Sequence, residues 1–345
     1  MLWREARWAL GFVGLLVFVA IFKNQIAREP QGALLPPLIP YSEKTQDRQN
    51  LDFVSPFSVQ NVKQIYYRHW LGTDLIGRDI LAGVIAGTRT ALVVGFGGIF
   101  LASIIGVLLG LLAGFYGDKS LKVSFLGQIL RGCLIGAFIF YVPIFFSQEI
   151  NIFFLVLIFI VILLTINKLE VSFLKRNWTF ALDAAVLRLV EVLQSVPTIL
   201  WLLGLITVVQ KINTTGLIVL IGCTGWMNLA RLTRGEVLRV KTQDFVAAAK
   251  SLGLSNSRII VNHILPNILT PILIAMTFGV AQCILLEAAI SFIGLGLPPE
   301  TVSWGTLLNL ARINISAWWL AVFPGFAIFL TVLSFNKIGE TLRKI

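Results

Sequence analysis

Charged residues are scarce in this sequence of 345 residues, and their scarcity excludes a soluble fold. Only 13% of the residues are charged, whereas 57% are hydrophobic. A soluble domain carries about 25% charged residues, which keep its surface in water. The hydrophobic residues are also clustered, and several blocks approach the roughly 20 residues that a helix needs to cross a bilayer. The sequence therefore predicts a polytopic membrane protein surrounded by lipid.

The residue types that build most active sites are also rare. The two histidines, His69 and His263, lie outside the apolar blocks, which argues against a serine–histidine hydrolytic site within the bilayer. No group of histidine, cysteine and carboxylate residues has metal-ligand spacing, and no glycine-rich phosphate loop ends in Gly-Lys-Ser/Thr. We therefore expect a chain that is not an enzyme, binds no metal and cannot hydrolyse ATP by itself.

Cysteine is nearly absent, and its placement argues against a disulfide framework. Cys133, Cys223 and Cys283 all fall in apolar blocks. Each is expected to act as a small buried hydrophobe.

The net charge of +11 is best explained by membrane topology. Lysine and arginine collect in cytoplasmic loops of membrane proteins. No basic stripe is interleaved with exposed aromatic residues, so we expect no nucleic-acid partner. Arg4 and Arg7 precede the first apolar run, which has no convincing signal-peptide cleavage site. This pattern predicts an uncleaved first span with the N-terminus inside.

The apolar blocks divide the chain into five parts. From the N-terminus they are a first span (1–22), a long proline-containing extracytoplasmic segment (23–90), a second span (91–117), a transmembrane hairpin (118–179) and the remaining spans with their loops (180–345). Short loops assigned to the outside contain only Lys211 and Arg312, whereas loops assigned to the inside are strongly basic. This asymmetry favours an all-α protein of about eight spans with both termini cytoplasmic. Six spans with a re-entrant hairpin would give the same orientation.

The cytoplasmic segment Asp244–Asn267 has the pattern of two short helices joined by a glycine corner. Phe245, Ala249 and Leu252 share one face of the first helix, and Gly253 stops it. Ser255 is placed to cap a second helix that carries three isoleucines. The pair presents an apolar stripe, which fits either a protein partner or the membrane headgroups.

This segment resembles the coupling loop of ABC-importer permeases, whose pattern is Glu-Ala-Ala, then Gly, then Ile-Leu-Pro. The loop covers 236–266 here, and its matching residues are Ala248, Ala249, Gly253, Ile264, Leu265 and Pro266. Ala247 occupies the position of the usual glutamate. Docking here is therefore expected to depend on shape and apolar contact, through Phe245 and Leu252, more than on charge.

Two further segments narrow the resemblance to permeases of the dipeptide/oligopeptide/nickel family, in the second-permease (C-type) subunit. One precedes the second span and continues into Gly87–Leu92; its motif residues are Gly72, Thr73, Asp74, Gly77, Arg78 and Asp79. The other runs from Glu287 to Pro298 and is followed by Ser303-Trp-Gly305. The resemblance covers about residues 1–117 and 180–345.

The resemblance implies a six-span type I importer core, to which the 118–179 hairpin is added. It implies a homologous second permease subunit, two cytoplasmic ATPase subunits and an extracytoplasmic substrate-binding protein as partners, in a bacterial inner membrane. Mg-ATP would bind the ATPase subunits, and this chain would bind no cofactor. The solute is expected to be a peptide or a similar small molecule.

Three alternatives remain open at this stage. The first is an importer of a nickel complex, the second is a secondary carrier without an ATPase, and the third is a membrane enzyme. Glu287 is the clearest acidic residue inside a predicted span, and such residues are functional candidates by default. It would otherwise be a hydrogen-bonding group within the helix packing. A proton-coupled carrier would need more buried charge than this.

Overall fold

The computed structural model describes residues 2–29, 37–117, 121–124, 177–180, 182–209, 212–298 and 300–344. Most of the predicted hairpin at 118–179 therefore lies outside the described residues. The described part is predominantly helical. Its helices are α1 (Leu2–Ile26), α2 (Ile80–Tyr116), α3 (Leu182–Gln194), α4 (Thr198–Val209), α5 (Thr214–Val240), α6 (Asp244–Ser251), α7 (Asn256–Ile259), α8 (Leu265–Ile293), α9 (Trp304–Ala311) and α10 (Trp319–Arg343). A π-helical turn, Ile260–Ile264, joins α7 to α8, and a 3₁₀ turn covers Ile65–Tyr67.

Within the described ranges, five helical stretches are long and apolar enough to cross a membrane. They lie in α1, α2, α5, the continuous stretch from α7 to α8, and α10. The pair α3 and α4 makes a sixth candidate if it counts as one bent span. The prediction of a multi-spanning helical protein is thus confirmed. The total of eight spans and the orientation of the termini stay predictions.

Helix α2 begins well before the predicted span 91–117. Asp79 accepts a hydrogen bond at its Oδ1 from the backbone N–H of Ala82, at 2.7 Å, and so caps the first turn. Hydropathy marks only the part of a helix that lies in lipid, whereas the cap sets where the helix starts. The sequence pattern therefore located the apolar part of α2 and missed its first three turns.

The stretch 182–209 is not one straight helix. Helices α3 and α4 meet at an angle of 80°, across Ser195–Pro197. Proline lacks the N–H that would continue the α3 ladder and disfavours helical conformation in the residue before it. Pro197 therefore ends α3, and its carbonyl accepts the first backbone hydrogen bond of α4, from Leu200 at 2.9 Å.

The chain divides into two compact units. Unit 1 contains Met1–Gly98, Asn213–Ile218 and Thr277–Ile345, and unit 2 contains Ile99–Ile212 and Val219–Met276. In unit 1, Ile80, Trp319 and Leu320 belong to one buried cluster, which holds the extracytoplasmic segment against the first turns of the helices. Each unit thus has an apolar core of its own.

Close packing of α2 against α5 dominates unit 2. A Cβ atom on Gly106 would lie 2.6 Å from the carbonyl oxygen of Trp226, and one on Gly110 would lie 2.5 Å from that of Ala230. Gly114 makes the corresponding approach to Val237. The two helices therefore run in the same direction, and the glycines of α2 permit their close approach.

Two short strands mark the ends of the predicted insertion. Strand β1 (Leu121–Ser124) pairs in antiparallel register with β2 (Asn177–Phe180), with Leu121 opposite Phe180. The chain therefore leaves and returns at one place, which is what an insertion into an existing fold requires.

Candidate functional site

The corner of the coupling loop is set by Gly253. Its φ of +74° is a left-handed conformation that favours glycine. The N–H of Gly253 donates to the carbonyl of Lys250 at 3.0 Å, and the N–H of Leu254 donates to that of Ala249 at 3.2 Å. This pair of bonds is the Schellman arrangement that ends helices. The predicted glycine corner is confirmed; Ser255 stands at the N-cap position of α7, but its side chain makes no capping hydrogen bond.

Buried side chains anchor both short helices to the ends of the spans. Val246 and Ala249 of α6 lie in one apolar cluster with Ile259 and Ile264. Val237 of α5 and further residues of α2 and α8 complete the cluster. The coupling loop is therefore packed against the transmembrane helices. Sequence reasoning did not single out Val246, because an apolar residue in a short amphipathic helix is ambiguous between anchor and docking surface.

The structure divides the predicted docking stripe in two. Leu252 is 81% exposed and Phe245 is 38% exposed, whereas Ala249 is buried. The three side chains therefore do not form one exposed face, because the core cluster covers Ala249, and Ile264 is buried in the same cluster. Ala248 is exposed at the surface. At the start of α8, Leu265 is half-buried and Pro266 is exposed. The role of these residues in docking stays a prediction.

Polar contacts also connect α5 and the start of the coupling loop to α2 and α3. Lys241 donates from Nζ to the carbonyl of Gly114 at 2.6 Å. The guanidinium of Arg234 on α5 makes two hydrogen bonds to the carboxylate of Asp183 on α3. No local sequence pattern indicates these partners, because they lie 51 and 127 positions apart in the chain.

In unit 1, the predicted extracytoplasmic motif shapes a turn. Oδ1 of Asp74 accepts from the backbone N–H of Ile76 at 3.0 Å and of Arg78 at 2.9 Å. The Arg78 Nε donates to Oδ2 of Asp74 at 2.7 Å. Gly77 has a φ of +76°, and a Cβ there would collide with the carbonyl oxygen of Asp47. These motif residues are thus used to hold the segment together.

The other motif residues, Gly72, Thr73 and Asp79, have similar scaffold positions. Thr73 is buried and its hydroxyl donates to the carbonyl of Asn50 at 3.0 Å. Gly72 has a φ of +81° and lies against the indole of Trp319, at the start of α10. The motif therefore fixes the extracytoplasmic segment to a helix start.

His69 is the centre of a buried charge cluster in the same segment. Its Nδ1 lies 2.8 Å from Oδ2 of Asp79, its Nε2 lies 3.2 Å from Oδ2 of Asp47, and its ring stacks on Tyr41. Burial by itself lowers the pKa of His69, but hydrogen bonds and charge from Asp79 and Asp47 outweigh it, so the pKa is raised. With two carboxylate acceptors, both ring nitrogens can donate only in the imidazolium form.

The remaining motif segments meet in unit 1. Trp304 donates from Nε1 to the carbonyl of Val84 at 2.9 Å, and its ring lies where a Cβ on Gly87 would be. Thr90 donates from its hydroxyl to the carbonyl of Val302 at 2.8 Å. Glycine at 87 is thus required by the close approach of the indole, which explains its place in the motif.

Glu287 is fully buried in α8, one turn before Ser291. The Ser291 hydroxyl donates to Oε1 of Glu287 at 2.8 Å. The described part of the chain contains no group of three histidine, cysteine or acidic residues that could hold a metal ion. Oε2 of Glu287 is buried without a hydrogen-bond partner among the described residues, so the packing satisfies only part of this carboxyl group. Its transport role stays a prediction.

Comparison with known proteins agrees with this arrangement. The family described as "Binding-protein-dependent transport system inner membrane component" matches residues 171–345. The chain is 28% identical to the oligopeptide transport system permease protein OppC of Bacillus subtilis, over 99% of this chain and 88% of that protein. It is 32% identical to the dipeptide transport system permease protein DppC of Alkalihalophilus pseudofirmus, over 80% of this chain and 70% of that protein.

A third relative, the dipeptide transport system permease protein DppC of Bacillus subtilis, is 29% identical over 80% of this chain and 67% of its own length. The matched region contains the coupling loop and the Glu287–Gly305 segment described above. This chain belongs to the family of binding-protein-dependent transport system inner membrane components, the membrane subunits of ABC importers.

Proposed function

We propose that this chain is the second, C-type permease subunit of an ATP-driven importer that carries peptides across a bacterial inner membrane. The named functions of its relatives, which are dipeptide and oligopeptide transport, support this choice of solute. No observation in the described residues favours a nickel complex. The chain itself would be non-catalytic, because it has no phosphate-binding loop and the ATP would bind to partner subunits.

The proposed complex contains a homologous second permease, two cytoplasmic ATPase subunits and an extracytoplasmic substrate-binding protein. The proposed topology has eight spans with both termini cytoplasmic, which the basic loops support. The five parts of the chain, including the inserted hairpin at 118–179, belong to the same proposal. Closure of the ATPases on ATP would move the coupling loop and open the pathway alternately to each side.

The observation that most supports the proposal is that α6 exposes apolar side chains on one side while its other side packs against the transmembrane helices. Phe245 and Leu252 are exposed, while Val246 and Ala249 of the same helix are buried. Exposed apolar groups on a water-facing loop indicate a partner surface. Because α6 is packed against the ends of the transmembrane helices, a displacement imposed on it by an ATPase subunit would displace those helices as well. A mobile loop would not transmit such a displacement.

Co-purification and transport together test the proposal. The tagged chain is expressed with its neighbouring transport genes, purified in mild detergent and reconstituted into vesicles. We expect an ATPase to co-purify, and labelled tripeptide uptake to require both ATP and the binding protein. A complex that never contains an ATPase, or tripeptide uptake driven by an ion gradient without ATP, would contradict it. Nickel uptake in place of tripeptide uptake would correct the solute alone.

A further inference from the structure

In unit 2, α5 exposes polar side chains at a level where the neighbouring helix α2 exposes only apolar ones. On α5, Asn228 and Arg231 are exposed. Gly106 and Gly110 of α2 lie against Trp226 and Ala230 of α5. Asn228 and Arg231 are therefore beside the stretch of α2 around Gly110. Gly110 lies about 9 Å before the end of α2, at about 1.5 Å per residue.

That part of α2 is wholly apolar on its exposed side. Ile104, Leu108 and Leu112 are its exposed residues, and the helix stays free of charged residues to its end at Tyr116. This is the surface that lipid requires. Asn228 and Arg231 therefore lie beside a part of α2 whose exposed side is suited to lipid.

The same level contains the break between α3 and α4. Ser195, Val196 and Pro197 are exposed there and belong to neither helix. Some of the freed backbone groups find partners: Ser195 donates from its hydroxyl to the carbonyl of Val192 at 2.7 Å, and Trp201 donates from Nε1 to that of Leu193 at 2.9 Å. Irregular backbone at membrane depth is tolerated where it is buried in protein or lines a water-filled cavity.

A chain of hydrogen bonds connects the break to α5. Gln194 donates from Nε2 to Oδ1 of Asn228 at 2.9 Å, and Arg231 donates from Nη2 to Oε1 of Gln194 at 2.7 Å. Both bonds are at the surface of the chain. The two bonds use only some of the donors and acceptors of Gln194, Asn228 and Arg231. The others can bond to a solute or to water.

These groups also lie on one stripe of α5. Asn228, Arg231 and Gly235 are exposed and follow a spacing of three and four residues, so they share one helix face. The neighbouring positions Leu229, Ala230 and Thr233 are buried. A Cβ at Gly235 would meet no atom within 4 Å, so no described part of this chain covers the stripe there. The stripe is therefore an exposed polar face of α5.

Lipid is an unfavourable neighbour for this polar face. An arginine facing hydrocarbon costs up to about 3 kcal/mol on insertion scales, a value that applies at the centre of a bilayer and falls toward its boundary. Polar side chains at this depth consequently face water, a solute or another protein. The irregular backbone at 195–197 favours water and solute, because exposed irregular backbone at membrane depth lines water-filled cavities.

We infer that Gln194, Asn228 and Arg231 line the solute pathway at the level of the α3–α4 break. The amide groups of Gln194 and Asn228 can pair with the N–H and C=O groups of a peptide-like solute, and the Arg231 guanidinium can pair with a carboxylate. The polar face therefore fits a polar solute that carries amide and carboxylate groups. This inference deepens the proposed function and rests on it in one respect, namely that the solute passes along this subunit.

Thiol accessibility in the assembled transporter tests the inference. In a background with Cys133, Cys223 and Cys283 replaced by serine, we would introduce Asn228→Cys and, separately, Gly235→Cys. The matched control is Leu108→Cys on α2, because Leu108 is 55% exposed at the same depth. The complex in lipid nanodiscs is treated with a charged methanethiosulfonate that cannot enter hydrocarbon.

We expect both α5 thiols to react at least about tenfold faster than the Leu108→Cys thiol, since a charged reagent reaches a thiol only through water. Trapping the complex with ATP should change the rate at both positions, because alternating access opens and closes the pathway. The Gly235→Cys variant keeps the test decisive if Asn228→Cys fails to assemble.

Two results would overturn the inference. In the first, both α5 thiols react no faster than the Leu108→Cys thiol in every nucleotide state. In the second, they react in the isolated chain and are fully protected in the complex, which indicates a dry contact with the second permease. Fast labelling in a complex whose transport needs no ATP would refute the proposed function and leave the pathway assignment standing.

Discussion

Lys241 donates a hydrogen bond from its Nζ to the backbone carbonyl of Gly114, 127 positions earlier in the chain. The bond joins the residue that follows α5 to the last turn of α2, where helix carbonyls lack intrahelical partners and attract cations. Lys241 belongs to the coupling loop (236–266), so the bond joins this loop to α2 as well as to α5.

Replacing Lys241 tests this tie. Lys241→Met keeps much of the stem and removes the charged donor, and we expect it to destabilise the chain by about 1.5–3 kcal/mol, as for other hydrogen bonds to charged groups. The measurement is the midpoint of denaturant-induced unfolding in lipid nanodiscs. Lys63→Met, at an exposed lysine of the extracytoplasmic segment, is the matched control. Equal midpoints for the two variants would show that the bond contributes nothing.

Leu252 and Phe245 are expected to contact the ATPase. Either Leu252→Asp or Phe245→Asp places a charge in an apolar contact, so we expect loss of coupled transport while the chain remains in the membrane. The readout is the ATPase content of the purified complex and the tripeptide transported per ATP. Leu51→Asp adds the same charge at an exposed apolar site of unit 1, and we expect it to keep the ATPase bound. Unchanged coupling in both loop variants would remove the docking role.

Gly253 should be destabilised by any side chain, although no neighbouring atom would clash with one. A Cβ at Gly253 would meet no atom within 4 Å, yet its φ is +74°. Gly253→Ala should therefore cost about 1 kcal/mol through backbone strain alone. Gly204→Ala is the matched control, since Gly204 also has open space but lies within α4. There alanine should be neutral or stabilising, by up to about 1 kcal/mol. The comparison is again the unfolding midpoint, and equal effects at the two sites would contradict the argument.

His69 should make the extracytoplasmic segment sensitive to alkaline pH. Its pKa is raised in the folded protein, so its contribution to stability is complete below the ordinary value of 6.5 and is lost as the pH rises through the raised pKa. Asp47 has a lowered pKa, so its contribution is lost only as the pH falls below 3.8. We expect the unfolding temperature to fall as the pH rises above 6.5.

The measurement for His69 is a series of thermal unfolding curves across that pH range. His69→Asn should be less stable at pH 6 and should lose this slope, because it removes the titrating group. His263→Asn changes the other histidine of the chain and should retain the slope. A His69→Asn protein with the same pH dependence as the wild type would exclude His69 as its source.

Much of the architecture follows from local sequence. Long apolar runs determine the membrane class, because roughly 20 apolar residues suffice to span the hydrocarbon and little else stabilises such a segment. Gly253 determines the corner of the coupling loop, since a left-handed residue after a helix is a property of a few neighbouring residues. Both features were predictable for this reason. The early start of α2 and the bend at Pro197 were missed because hydropathy does not report caps or kinks.

The side chains that act together depend on the tertiary structure. Val246 and Phe245 are adjacent apolar residues, and only the packing of α2, α5 and α8 determines that one is buried and the other exposed. Gln194 is 34 residues from Asn228 and 37 from Arg231, and a sequence pattern reaches only the next turn or two of a helix. The sequence by itself determined the membrane class, the helices and the glycine corner, because these depend on neighbouring residues. The tertiary structure decided which residues are buried, which are exposed and which polar side chains meet at the α3–α4 break, because these contacts join segments far apart in the chain.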